Sequence, residues 1–328
     1  LNSVHTFAND PERGFFILIF LFILVFISLF IFFVFHKSDN QSSNSFFLLS
    51  KETSILINNW FMMYFLSVIL IGTVYPIFLD VISAQKISVG PPFYHKLIIP
   101  FLIPFLIFMA VGPQLKWIKT GLEKKLNLVV LFIISLLISF LIVRNLDIDF
   151  LVNTILIGSA FYLFFITIRD FFLKRFKNFQ QNIAHFGFSL LILSILFNNI
   201  FSSELITNLK VGESFKNDKF EIIFNDLKKS EKKNYVSFKG NFSIKENEIE
   251  NKLEPELRVY NQPNIITSEA DIKTTFFTDK FITMNTVQNE EYFNIRYQVK
   301  PFMLWIWISV LLISLGGLTS LFKKKYEK

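Results

Sequence analysis

Seven long apolar runs dominate this sequence and limit what the chain can fold into. A helix needs roughly 20 apolar residues to cross the hydrocarbon core of a bilayer. The seven runs lie at Gly14–Phe35, Ile55–Leu79, Leu97–Val111, Leu126–Val143, Phe150–Ile168, Ile183–Phe201 and Met303–Phe322. None of them contains Asp, Glu, Lys or Arg. The pattern predicts a polytopic α-helical membrane protein with about seven transmembrane helices. The third run is short and contains Pro100 and Pro104, which could kink it or make it re-entrant.

The composition supports a membrane location and excludes both cysteine chemistry and a basic nucleic-acid-binding domain. Of the 328 residues, 52% are hydrophobic, which leaves too little polar surface to cover the chain in water. The chain contains no cysteine, so disulfides, thiolate metal sites and cysteine nucleophiles are excluded. The net charge is +7, yet residues 202–299 hold 14 Lys and Arg against 16 Asp and Glu. No basic domain is therefore present to hold the phosphate backbone of a nucleic acid.

The distribution of basic residues in the short loops predicts the orientation. Three alternate loops and the C-terminal tail hold Lys37, Lys51, Lys116, Lys119, Lys124, Lys125, Arg169, Lys174, Arg175, Lys177, Lys323, Lys324, Lys325 and Lys328. The opposite short segments hold only Arg13, Lys86, Lys96 and Arg144. Because basic loops stay on the cytoplasmic side, we expect a cytoplasmic C-terminus. With seven spans, the N-terminal segment and the region before the last span then lie outside.

Residues 202–299 have a different sequence pattern from the rest of the chain, and this pattern predicts a small all-β domain outside the membrane. Apolar and polar residues tend to alternate, as in half-buried strands, at Phe220–Phe224, Tyr235–Ile244, Glu256–Tyr260 and Tyr292–Val299. We expect a sandwich or barrel of roughly 100 residues. The region lacks histidine and shows no nucleophile–base pair, which favours recognition or scaffolding. The predicted organisation is a membrane bundle (1–201), this β domain (202–299), and a last span with a basic tail (300–328).

The four histidines are the candidate ligand residues. His185 lies just inside the sixth run, where helical spacing places Gln181, Asn182, Phe188 and Ser189 beside it. Ionisable residues in spans usually face the protein interior, so His185 is either a structural, hydrogen-bonded residue or a ligand to a metal or haem. Gly187 leaves a gap near the imidazole into which a flat group could pack. His5 precedes the first run, whereas His36 and His95 lie at the ends of runs and are interpreted as interfacial.

A series of short motifs, in one order along nearly the whole chain, resembles a single family. They lie at residues 3–14, Ser50–Glu52 with Asn58 and Asn59, Gly72–Pro76, Lys86–Phe93, Ala184–Gly187, Glu254–Glu256, Thr267–Asp271, Lys300–Trp307 and Leu315–Gly317. The chain resembles CcmF, the membrane haem-lyase subunit of system I cytochrome c maturation. Lys51 stands where that family usually has arginine. The resemblance covers only the C-terminal half and omits the tryptophan-rich WWD segment. It implies either a truncated chain, which the leucine at position 1 favours, or a split protein whose N-terminal half is a separate subunit.

The resemblance also implies a cofactor, a substrate and several partners. In the family, haem arrives outside the membrane on the haem chaperone CcmE, docks between two external histidines and is attached to the C-x-x-C-H motif of apocytochrome c. By position, His5 resembles the second external haem ligand. A permanently bound haem b lies in the membrane between two helix histidines, and His185 resembles one of these. The lack of cysteine requires a separate thiol-handling partner for the apocytochrome.

Two further segments are candidates for a haem or partner surface. The external loop contains Gly90-Pro91-Pro92, which should form a rigid turn; it is either a wall of such a site or a helix-connecting turn. Trp305 and Trp307 near the outer end of the last span suit interfacial anchors first, with a haem contact as the lesser alternative.

Two rival functions remain open: a subunit that transports haem or another solute, and a non-catalytic scaffold that presents the β domain. Transporters tend to show repeats, broken helices and intramembrane charges, whereas this sequence shows no convincing repeat and no charged residue inside a run. The implied location is a bacterial or mitochondrial inner membrane, with the β domain on the periplasmic or intermembrane side.

Overall fold

The structure is a computed structural model that describes residues 11–35, 47–83, 87–119, 126–146, 148–173, 179–217, 220–246, 249–262, 264–287 and 291–321. It contains the helices α1 (Pro11–Phe35), α2 (Lys51–Ser83), α3 (Pro91–Val111), α4 (Leu126–Val143), α5 (Phe150–Leu173), α6 (Phe179–Phe201) and α7 (Met303–Leu321). Six of them are long and apolar enough to cross a membrane, and the apolar part described in the seventh, Met303–Thr319, is shorter. The predicted fold class, a polytopic helical membrane protein with an all-β domain, is confirmed.

Two differences from the sequence prediction concern the third span and the charges. A short 3₁₀ turn at Gly112–Gln114 extends α3, which spans 24 residues from Pro91 to Gln114 despite its internal prolines. Polar turns also lengthen α2 and α5, so α2 contains Asp80 and α5 contains Asp170, with exposed fractions of 7% and 6%. The apolar runs missed these carboxylates because each lies just beyond the end of its run.

The chain divides into two compact units, Leu1–Arg169 and Asp170–Lys328. Small residues allow close helix contacts in the first unit, as is common between membrane helices. A Cβ added to Gly72 of α2 would lie 2.6 Å from the hydroxyl of Tyr94 on α3. On α4, the Ser139 hydroxyl donates to the Thr154 carbonyl of α5 at 2.7 Å. Gly72 of the Gly72–Pro76 motif therefore has a packing role, since a larger residue there would displace the Tyr94 ring.

In the part of the second unit that the structure describes, α6 and α7 are separated in sequence by ten strands. These strands are β1 (Ser203–Leu209), β2 (Ser214–Lys216), β3 (Glu221–Glu231), β4 (Tyr235–Glu246), β5 (Ile249–Leu253), β6 (Glu256–Asn261), β7 (Asn264–Glu269), β8 (Asp271–Thr274), β9 (Thr278–Thr286) and β10 (Phe293–Pro301). One antiparallel sheet has the order β1-β10-β9-β8, and the other has the order β2-β3-β4-β6-β7 with β5 beside β4. The predicted β domain is thus a sandwich.

The two sheets enclose a single apolar core. Phe224 and Phe242 stack at its centre with ring centroids 4.3 Å apart, and both side chains are fully buried. A β-bulge at Asn225 shifts the register between β3 and β4. The bulge absorbs one residue, so Phe224 and Leu227 both contribute to the core. At one edge the buried Tyr297 hydroxyl donates to Glu246 at 2.7 Å, and Glu246 also pairs with Lys280. Burial, followed by this hydrogen bond, raises the pKa of Tyr297 well above its usual range.

Ion pairs on the larger sheet predict how the β domain responds to acid. The Lys239 ammonium lies 2.6 Å from Glu254 and the Arg258 guanidinium 2.9 Å from Glu256. Each cation lowers the pKa of its glutamate below the ordinary value of 4.5. A lowered carboxylate pKa contributes stability above the unfolded-state pKa, and that stability is lost as the pH falls through the folded-state value.

We therefore expect exchange protection in β4 and β6 to fall below about pH 4.5. Hydrogen–deuterium exchange of the full chain, corrected for the intrinsic pH dependence of exchange, measures it. The variant Lys239→Gln/Arg258→Gln should start less protected and lose less protection between neutral pH and pH 3. An equal acid-induced loss in both proteins would contradict the assignment.

Candidate functional site

The helix α6 carries a polar stripe around His185, and the imidazole is half-buried. One turn before it, the Asn182 side chain has a buried amide nitrogen that has no hydrogen-bond partner among the described residues. One turn after it, the hydroxyl of the fully buried Ser189 donates to the Phe186 carbonyl at 2.8 Å. Buried amide donors are usually satisfied. Because the Asn182 amide has no partner among the described residues, it can donate to another group placed near this part of α6.

A carboxylate that the sequence analysis missed lies near this histidine. Asp170 in the last turn of α5 is buried and interacts electrostatically with His185. Both residues belong to the second compact unit. Carboxylates near ligand histidines orient the ring and increase its basicity. The available signal in the sequence was a carboxylate only two residues beyond the apolar run that ends at Ile168.

The gap that we predicted at Gly187 is filled by α7. A Cβ on Gly187 would lie 2.9 Å from the backbone nitrogen of Ile313 and 3.0 Å from Leu312 Cβ. One on Gly316 would lie 2.7 Å from the backbone nitrogen of Ala184. Ala184 and Gly187 thus form the surface of α6 that contacts α7, and Gly187 leaves no room for a flat group. Two of the four residues in the Ala184–Gly187 motif serve helix packing, and His185 is the one with ligand chemistry.

The other predicted site residues are placed as follows. His5 and His36 lie outside the described residues, so the role of His5 as a haem ligand stays a prediction. His95 is exposed in the first turns of α3. Gly90 precedes α3 with extended backbone, and Pro91 and Pro92 occupy its first positions. Proline suits the first turn of a helix because no amide hydrogen is needed there. The segment therefore starts a helix, and its contact with haem or a partner stays a prediction.

Trp305 joins the β domain to α7. Its indole N–H donates to the Phe276 carbonyl at 3.0 Å, and its ring packs edge-on against Phe276 with centroids 4.9 Å apart. The preceding Phe302 has a φ of 62°, which is rare for a bulky residue. Its N–H donates to the Phe277 carbonyl at 2.7 Å, which holds this conformation. Trp307 is 63% exposed. The structure gives Trp305 a structural role, and a haem contact stays a prediction for both tryptophans.

The Trp305→Ala substitution should loosen the β8–β9 turn from α7. Truncating a well-packed tryptophan costs about 3–5 kcal/mol, and we expect about 2 kcal/mol or more here since Trp305 is only half-buried. Exchange at residues 275–278 of the full chain should rise at least tenfold, while the Phe242 core region stays protected. Trp307→Ala is the matched control and should leave exchange there unchanged. Equal effects from both variants would refute the assigned role.

Comparisons with known proteins agree with these features. The family model described as the CcmF C-terminal beta-sandwich matches residues 200–301. The "Cytochrome c-type biogenesis protein CcmF" of Pseudomonas fluorescens is 32% identical over 100% of this chain and 52% of its own length. That of Escherichia coli (strain K12) is 29% identical over 100% of this chain and 52% of its own length. Along its full length, this chain is similar to CcmF. It spans about half the length of the curated CcmF relatives it matches.

A solved structure supports the same fold. The "Cytochrome c Heme Lyase CcmF" aligns with a TM-score of 0.66 and 21% sequence identity, over 83% of this chain and 46% of that chain. At this identity the match establishes the fold alone. The order of helices and sandwich is thus shared with a CcmF structure.

Proposed function

We propose that this chain supplies the C-terminal half of a cytochrome c haem lyase, which attaches haem to apocytochrome c. The observation that carries the proposal is the similarity, along the whole chain, to proteins named for cytochrome c biogenesis. Haem is then the substrate. The partners are an N-terminal half with the WWD segment, the haem chaperone CcmE, a thiol-handling subunit and apocytochrome c. A separate thiol-handling subunit is needed because the chain lacks cysteine.

The same proposal assigns His185 as an axial ligand of haem b within the membrane. When bound, that haem would supply one-electron reduction. The half-buried imidazole and the nearby buried Asp170, a carboxylate that could accept from the ring N–H, suit such a ligand. Ala184 and Gly187 hold α6 against α7 and thereby fix the helix that carries the ring. By the resemblance to CcmF, the second axial histidine would come from the N-terminal half of the protein; His95, the other histidine that the structure describes, is exposed.

We further propose an orientation for the membrane. The β domain, with His5 as a reversible ligand of the incoming haem, lies on the periplasmic or intermembrane side of an inner membrane. The C-terminal tail lies on the opposite side. The loop lysines support this orientation. The described sandwich shows no group of three or more potential metal-ligating side chains, and recognition of partners is the role we assign to it.

Reconstitution of the two halves tests the proposal. The chain is co-expressed with the WWD-containing half of a relative and the remaining maturation subunits, in cells that lack their own CcmF. Covalent haem on a reporter with one C-x-x-C-H motif is then measured by haem staining after denaturing electrophoresis. We expect staining only when both halves are present. The lyase function would be contradicted if the chain were stably produced and co-purified with the other half, yet gave no stained reporter. The non-catalytic scaffold would then be the better interpretation.

A further inference from the structure

A hydrogen-bonded surface structure lies in the first unit, where the start of α2 meets the loop that follows α3. The Lys51 N–H donates to the Lys116 carbonyl at 3.0 Å, and the Phe47 N–H donates to the Ile118 carbonyl at 3.3 Å. The fully buried Ser50 caps α2 by accepting the Thr53 N–H at 3.2 Å. These bonds tie residues 47–53 to residues 116–118. The two segments form one structure rather than two independent loops.

The loop is held in an unusual conformation by a carboxylate. Ile118 has a φ of 66°, which is a true outlier for a β-branched residue. Its N–H lies 3.0 Å from both oxygens of Glu52. The Glu52 carboxylate therefore accepts a hydrogen bond from the loop backbone through both of its oxygens. Strain of this kind persists only where the surroundings over-determine it, so the side chains around Ile118 have fixed positions.

The surface of this structure combines lysines with exposed apolar side chains. The Lys51 ammonium lies 5.0 Å from the centre of the Trp117 ring, and that of Lys119 lies 4.7 Å from the Phe47 ring. Trp117 and Ile118 are 60% and 64% exposed. We define the lysine–tryptophan surface by its lysines and exposed apolar side chains, namely Phe47, Leu48, Lys51, Lys116, Trp117, Ile118 and Lys119. Among the described residues of this surface and Glu52, there are three cations and one anion, and the Glu52 carboxylate already accepts a hydrogen bond from the loop.

We propose that the lysine–tryptophan surface binds the headgroup of an anionic glycerophospholipid. Ammonium groups beside an exposed tryptophan at the ends of membrane-length helices suit the headgroup level of a bilayer. The phosphate would pair with the lysines, while the apolar side chains contact the glycerol and the first methylenes. A free phosphate would leave those apolar side chains in water. The excess of positive charge selects an anionic lipid over a zwitterionic one.

Native mass spectrometry of the purified full chain tests this proposal. Phosphatidylglycerol and phosphatidylcholine with the same acyl chains are titrated separately, and the bound lipids are counted. The test variant is Lys51→Gln/Lys116→Gln/Lys119→Gln. The matched control, Lys228→Gln/Lys232→Gln/Lys233→Gln, removes the same charge from an exposed hairpin of the β domain. We expect the test variant to bind phosphatidylglycerol about tenfold more weakly or worse, and the control to bind it normally.

Two further arms identify the ligand and the place. Brominated phosphatidylglycerol should quench the tryptophan fluorescence of the natural chain, and Trp117→Phe should remove much of that quenching. Millimolar inorganic phosphate should not displace the lipid. Equal binding of the two lipids, an equal loss in the control, or displacement by inorganic phosphate would overturn the proposal. So would quenching that persists unchanged in Trp117→Phe.

Discussion

Replacing Gly316 by leucine should separate α7 from α6 and destabilise the second unit. A Cβ at this position would lie 2.7 Å from the Ala184 backbone nitrogen and 2.9 Å from the Gln180 carbonyl oxygen. Backbone atoms of a helix cannot rotate away, so the helices must move apart. Overpacking typically costs 1–3 kcal/mol, occasionally more, and we expect about 3 kcal/mol here. The measurement is thermal unfolding of the detergent-purified chain, with exchange in α6 as a local readout.

The adjacent glycine provides a matched control. A Cβ on Gly317 would meet no atom of the described chain within 4 Å. Gly317→Leu therefore adds the same side chain one residue away, and it should change stability by less than about 0.5 kcal/mol. If both leucine variants lowered the unfolding temperature equally, the close α6–α7 contact would be refuted.

This contact supports the proposed role of His185 as a fixed haem ligand. Ala184 and Gly187 flank His185 in sequence and lie against α7. The Asn198 side chain donates to the Pro301 carbonyl at 2.6 Å, and Phe197 packs on Phe302, so the far end of α6 is also anchored. The helix is thus held at two places along its length. His185 lies within the first of these places, so the backbone that carries its imidazole is fixed, as a ligand of a permanently bound cofactor requires.

The sequence predicted the helices well because their signal is local. Seven apolar runs correspond to seven helices, since length and hydropathy alone require a membrane helix. Helix ends were less accurate: α3 begins at Pro91 rather than near Leu97, because proline and polar residues are tolerated in a first turn. The charges of α5 were missed for a related reason. Asp170 follows the apolar run, yet the helix continues to Leu173.

The β domain and the site show the limit of sequence reasoning. The sequence analysis found four alternating runs, whereas the described residues of the sandwich form ten strands. Short strands such as β2 and β8 are defined by partners far along the chain, and their own sequence carries no clear alternation. The same holds for Gly187, whose partner lies more than a hundred residues away on α7. The sequence motif made His185 a candidate ligand. Only the structure shows that its neighbours Ala184 and Gly187 pack against α7.

His185→Ala should abolish intramembrane haem in the assembled protein while leaving the fold intact. The side chain is half-buried, and the close α6–α7 approach described above is made by Gly187 and Gly316 with the atoms around them. We expect unfolding temperature and co-purification with the N-terminal half to change little. Haem content should fall by at least tenfold, because an iron that loses an axial imidazole loses its main attachment. The exposed His95→Ala is the matched control.

The absorption spectrum of the co-expressed, purified halves is the most direct measurement. The natural pair should show the sharp bands of reduced, six-coordinate haem, His95→Ala should show the same bands, and His185→Ala should lose them. Full retention of those bands in His185→Ala, with both halves present in equal amounts, would contradict the central claim that His185 is an axial ligand of the intramembrane haem.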